Sequence, residues 1–146
     1  MRRLLHLRLP RRDPQSGSTL VEFSMVVPVL ILLTAGTIDA GRMIVARSML
    51  SYAAIVGART GIASGTASTG AVQTAAVNAA PMLGLGTGAS GNRVVVTYTS
   101  AAGTWGGRTS GDTVTVTAYY TFNPVLGRMT LLTSKSFVAQ STLTIP

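Results

Sequence analysis

Between Leu20 and Ile38 the chain places 19 residues with one charged side chain, Glu22, close to the start. A helix of that length rises about 28 Å at roughly 1.5 Å per residue, close to the hydrocarbon thickness of a bilayer. A helix of a water-soluble domain normally keeps a polar face along its length. Nothing from Phe23 to Ile38 is charged. The segment therefore reads as a membrane span, with the buried core helix of a soluble protein as the alternative. Composition agrees with the local reading. The chain is 47% hydrophobic and only 11% charged, whereas average proteins carry roughly 25% charged residues, and the excess is concentrated in this run.

Upstream lies a cationic stretch. Arg2, Arg3, Arg8, Arg11 and Arg12 are opposed only by Asp13, and a small-residue junction, Gly17-Ser18, follows them. A secretory signal places its cleavage site after the apolar run; here the junction precedes it. Cutting after Gly17 removes the charges and leaves the apolar helix as the new N-terminus, beginning at Ser18. The arginines outnumber the two, Arg42 and Arg47, that flank the other end of the span. By the bias of cations to the cytoplasmic side, the leader is expected to be cytoplasmic and the C-terminal part exported across the inner membrane. Half of the net charge of +8 lies in this leader, and +4 remains without it. The remaining arginines are scattered, without the basic stripe of a nucleic-acid surface, and no nucleic-acid partner is expected.

Two residues inside the span carry a cost. Pro28 removes one helical hydrogen bond and crowds the preceding turn, giving either a simple kink or a bend suited to packing against sister subunits. Ser24, one turn earlier, offers a hydroxyl for the freed carbonyl. Glu22 is expensive in hydrocarbon unless it is paired. It either complements the helix dipole near the headgroups or meets the ammonium that cleavage exposes on Ser18, its own or a neighbour's.

These residues resemble the processing signature of the type IV pilin superfamily: Gly17, a cleavage, then Glu22 at the fifth mature position. More narrowly, the stretch Leu20 to Leu30 (LVEFSMVVPVL), then Ile38 to Arg42 (IDAGR) and Ala53 to Arg59 (AAIVGAR), is similar to the TadE-like pseudopilins of the Tad (Flp) tight-adherence pilus system. Family members likewise place Val-Glu-Phe, a proline six residues beyond the glutamate, a Gly-Arg after the span and a Gly-Ala-Arg block. The resembling region covers roughly residues 15–64. Glu22-Phe23 departs from the Glu-Tyr of the major Flp pilin, and the exported part is far larger than that short pilin. The resemblance implies a minor pseudopilin, processing by a prepilin peptidase, and partnership with other pilin-like subunits and the Tad assembly machinery in building an adhesive pilus.

Beyond the span, the expected organisation is α+β. A basic leader occupies 1–17, the transmembrane and assembly helix 18–38, an exported helical region 39–80, a Gly-rich linker 81–92 and a β-rich region 93–146. In the first exported helix, Ile38, Val45, Met49 and Val56 fall near one face, with Arg42 on the same side, free to snorkel to headgroups. Gly57, Gly61 and Gly65 either permit a close approach or mark fraying. A second helix spans Ala71 to Ala80 and stops at Pro81. The Gly86, Gly88, Gly91 spacing formally matches a dinucleotide motif, but that motif needs a strand before it and a helix after. The order here is reversed, so a flexible connector is expected. Val94–Thr99, Thr113–Phe122 and Ser136–Ile145 read as about three antiparallel strands, with Val114, Val116, Ala118, Tyr120 and Phe122 on one face of the second. Turn-rich residues 103–112 and Asn123-Pro124 connect them. The exported helices are expected to cover that face.

No catalytic residue is expected, nor a cofactor, metal or small-molecule substrate. The chain has no cysteine, its single histidine, His6, lies in the leader, and the other carboxylates, Glu22, Asp39 and Asp112, are far apart in sequence. Ser134-Lys135-Ser136 places neighbours on opposite faces of a strand. Trp105, alone in a Gly/Thr loop, either makes a surface contact or folds back on the sheet. The function expected is that of a minor pseudopilin. The alternatives are an uncleaved, signal-anchored extracytoplasmic binding module and, less readily, an exported enzyme.

Overall fold

The computed structural model describes residues 15–63, 68–100, 110–125 and 133–146. Residues 1–14 of the leader, Gly65, Trp105 and most of the first hairpin loop lie outside them. Helix α1 runs from Gln15 to Ala63, with Pro28 inside it. The chain divides into two units, Met1–Gly36 and Thr37–Pro146.

In the first unit the described residues are all helical. Leu20, Phe23, Met25, Leu30 and Leu33 are exposed. A lone helix can satisfy its backbone but cannot bury its side chains, so the apolar surface of this stretch is open on every side.

The second unit is a sheet with helices packed on it. Helix α2 spans Thr69–Ala79. It begins two residues earlier than its apolar pattern suggests because Ser68 caps it: the hydroxyl accepts from the Ala71 amide at 3.2 Å, satisfying a donor that the first turn leaves free. Pro81 does not merely stop the helix. It opens a 3-10 turn, Pro81–Leu83, closed by Gly84 at φ 57, a conformation that glycine adopts without penalty. Residues 81–92 do join helix to strand, with the order helix, glycines, strand that argued against a dinucleotide site. They are not a loose tether, however. Leu83 and Leu85 are buried, Gly86 pairs with Arg93 beside the first strand, and Asn92 accepts from the Thr121 amide at 2.9 Å.

Strands β1 (Arg93–Thr99), β2 (Thr113–Phe122) and β3 (Lys135–Thr144) form an antiparallel sheet in the order β1-β2-β3. Fold class and strand number agree with the sequence reading. On β2 the alternation holds: Val114, Val116, Ala118 and Phe122 are buried and Tyr120 is partly so. Val72 and Ala76 of α2 join them in the core.

The buried face of α1 is a correction to the sequence reading. Ile38 and Val45 are exposed, and Met49 packs only at the margin. The buried positions are Ala46, Leu50, Ala53, Ala54 and Ala58, one residue further on around the helix. Small side chains let the backbone come close to the sheet, and the larger ones flank the contact. Gly57 and Gly61 belong to this face. A Cβ at Gly57 would stand 3.0 Å from Ala76 Cβ, and one at Gly61 would stand 2.7 Å from Val114 Cγ1. These two glycines thus serve a close approach rather than fraying.

Candidate functional site

The residues singled out by sequence fall on the first two turns and the middle of α1. Gly17 and Ser18 lie near its start, Glu22 one turn on, and Pro28 further along. A Cβ built on Gly17 meets nothing within 4 Å, so the fold itself places no steric demand for glycine there. Glu22 is exposed and forms no ion pair among the described residues. Around it, Leu20, Val21, Phe23 and Met25 are also exposed, giving one acid set in an apolar cylinder. The Ser24 hydroxyl donates to the Val21 carbonyl at 2.7 Å. It is therefore spent on a neighbouring carbonyl and not on its own, which is the one Pro28 leaves without its i+4 amide. Further along, Thr34 donates in the same manner to the Leu30 carbonyl at 2.8 Å, hiding its polar group against the helix backbone as a threonine in an apolar setting must.

The helix Gly17–Ala63 is long and apolar enough to cross a membrane, and none of its most apolar 18-residue window is buried. A core helix of a soluble protein has the opposite character, because its apolar window is mostly covered. One such helix near the N-terminus is consistent with a single-pass membrane protein.

In the second unit a polar cluster was missed by the sequence reading. Asp39 is buried, with a relative exposure of 5%. Its Oδ1 accepts from Arg42 Nη1 at 3.0 Å and from the Val125 amide at 3.2 Å. The Arg42 guanidinium also lies 5.6 Å from the centre of the Phe122 ring, within reach of a cation–π attraction. Arg42 is thus engaged by this unit's own side chains while its guanidinium stays half exposed. The pair ties α1 to the chain just past β2. Its carboxylate is desolvated but has two donors, so the charge is compensated where it sits. An acid three residues before an arginine on one helix was the available signal.

Asp112, the other carboxylate of this unit, is also buried. The Asp112 backbone carbonyl accepts from the Ile145 amide at 2.7 Å. Among the described residues no group of three or more His, Cys, Asp or Glu side chains is placed to hold a metal. Ser136 and Lys135 lie on β3, next to each other in sequence and hence on opposite faces.

No curated protein and no solved structure matches the chain. A family model does, over residues 17–59, and its description is TadE-like protein. The matched stretch starts at Gly17, contains Glu22, Pro28 and the Asp39–Arg42 pair, and ends at Arg59. From the junction glycine to the Gly-Ala-Arg block, this chain is therefore similar to the TadE-like proteins.

Proposed function

We propose that the chain is a minor pseudopilin-like assembly component of a Tad pilus, made as a precursor and cut after Gly17 by a prepilin peptidase. The observation that carries this reading is a helix whose most apolar window is not buried among the described residues, with an acid, Glu22, four residues beyond Ser18. Cleavage gives Ser18 an ammonium one helical turn from Glu22. Pairing the two, within one chain or between neighbours, offsets the cost of holding either charge in hydrocarbon. The pairing also fixes the axial register of packed helices. The glycine at 17 supports the same reading: a Cβ there meets nothing within 4 Å, so packing within the fold does not account for a small residue at the junction. The leader stays cytoplasmic, and the unit from Thr37 onward is exported.

Replacing Glu22 with Ala tests the role of the acid. The variant is expected to remain in the membrane fraction at normal level while pili fall at least tenfold, counted by electron microscopy. Normal piliation with Glu22→Ala would contradict the pairing.

A further inference from the structure

The sheet ends on a bare strand. The Ile145 amide donates to the Asp112 carbonyl at 2.7 Å, and the Ile145 carbonyl accepts from the Gly111 amide at 2.9 Å, so Ile145 directs both its backbone groups toward the β2 side. In an antiparallel ladder this direction alternates along the chain. Phe137, Ala139, Ser141 and Leu143 therefore face β2. Ser136, Val138, Gln140, Thr142 and Thr144 turn their N–H and C=O groups to the free edge, where no described strand pairs with them. Natural edges are usually blunted by proline, charge or a bulge. From Ser136 to Thr144 there is no proline and no charged residue, and the pairing with β2 runs unbroken from Thr113 to Phe122.

The core is also thin at this edge. Val114, Val116 and Ala118 of β2 are fully buried, whereas Phe137, Ala139, Leu143 and Ile145 on the same face of the sheet are only partly covered. A cleft of about 350 Å³ separates β3 from α1, lined by Arg47, Ser51 and Ile55 of the helix and by residues 136–140 of the strand. Its lining includes Ser136, Val138 and Gln140, residues whose backbone groups turn to the free edge. Charge narrows what pairs with that edge. The sequence from Thr37 onward holds seven basic residues and two acids, Asp39 and Asp112. Both acids are buried. Arg47 is exposed at the lip of the cleft and has no ion pair among the described residues. A second copy of this unit brings no exposed acid to it.

We propose that the free edge of β3 and the Arg47 flank of α1 together bind an extended, acidic segment of another protein, which adds a fourth strand to the sheet. Backbone hydrogen bonds to Val138, Gln140 and Thr142 hold the segment, as in other cases of strand addition. Alternate side chains of the guest turn toward α1, where a carboxylate meets Arg47 and an apolar group covers Ile55.

The test uses the full chain in nanodiscs of zwitterionic lipid. Two ten-residue peptides serve as probes, one alternating valine with glutamate and one alternating valine with lysine. The glutamate peptide is expected to bind and to slow amide exchange at Val138, Gln140 and Thr142 at least tenfold, while the lysine peptide does neither. Gln140→Pro removes an outward N–H at a position where an edge strand tolerates proline, and is expected to abolish binding. Arg47→Glu, on an exposed helix position, is expected to weaken it at least tenfold without touching the sheet. Absence of binding, equal binding of both peptides, binding without protection of those amides, or dimerisation through β3 that the glutamate peptide does not compete would each overturn the proposal. The assay contains no pilus machinery, so its failure leaves the pilus reading untouched, and loss of the pilus reading leaves this edge as it is.

Discussion

The stretch from Gly17 to Gly36 and the unit from Thr37 onward handle apolar side chains in opposite ways. In the first, leucines, valines and Met25 are exposed among the described residues. In the second, alanines and glycines of the same helix turn inward onto valines of β2. One helix thus carries two designs. Large exposed residues suit a surrounding that is itself apolar, and small buried ones suit close packing against a sheet. The lesson is that hydrophobic mass and structural burial are different quantities, and in this chain they are nearly complementary.

Substitutions that exchange the two designs give the sharpest contrasts. The largest effect is expected from Leu30→Arg, a charge in the middle of the apolar stretch, which costs about 2.5–3.5 kcal/mol for insertion. Cell fractionation should show much of that variant leaving the membrane fraction, whereas Arg at the equally exposed Tyr52 should leave its distribution unchanged. Next is Asp39→Ala, which removes the acceptor of Arg42 and of the Val125 amide. Losing hydrogen bonds to a charged group of this kind costs about 2 kcal/mol, to be read as faster amide exchange throughout β2, with no change in membrane retention.

Glycine substitutions separate the two regions within a single helix. Gly61→Ala forces a methyl group to 2.7 Å from Val114 Cγ1, and overpacking of this order costs about 1–3 kcal/mol, more than the helix propensity it gains. Gly36→Ala meets nothing within 4 Å and should be neutral or slightly stabilising. Urea unfolding of the full chain in detergent distinguishes them. Smallest is Ser68→Ala, which deletes the cap of α2 and should cost about 1 kcal/mol in the same measurement.

Much of this architecture was legible in the sequence, for identifiable reasons. β2 could be read to its ends because valine and threonine alternate from Thr113 and the pattern stops at Asn123-Pro124. The C-terminal end of α2 was marked by Pro81, whereas its start, after the Ser68 cap, lay two residues before the apolar pattern. The N-terminal helix announced itself by length and lack of charge. The packed face of α1 was not legible, since alanine and glycine contribute little to a hydrophobic pattern, and the strongest apolar signals, Ile38 and Val45, sit on the exposed flank. Asp39 was hidden for a related reason. Its partners include the Val125 amide, 86 residues away, and no local spacing encodes that contact. In residues 81–92 the glycines suggested looseness, while Leu83, Leu85 and Asn92 do the packing and hydrogen bonding. Of the proposed processing and pairing residues, the sequence motif supplies the argument, and the geometry adds the open space at Gly17 and the exposed Glu22.

The account turns on where the functional polypeptide begins. Protein extracted from the membrane of cells making the native pilus system should be analysed by intact mass and N-terminal sequencing. The account predicts a chain that starts at Ser18 and retains the apolar helix. A chain still carrying residues 1–17, or one that has lost the helix with them, would contradict it.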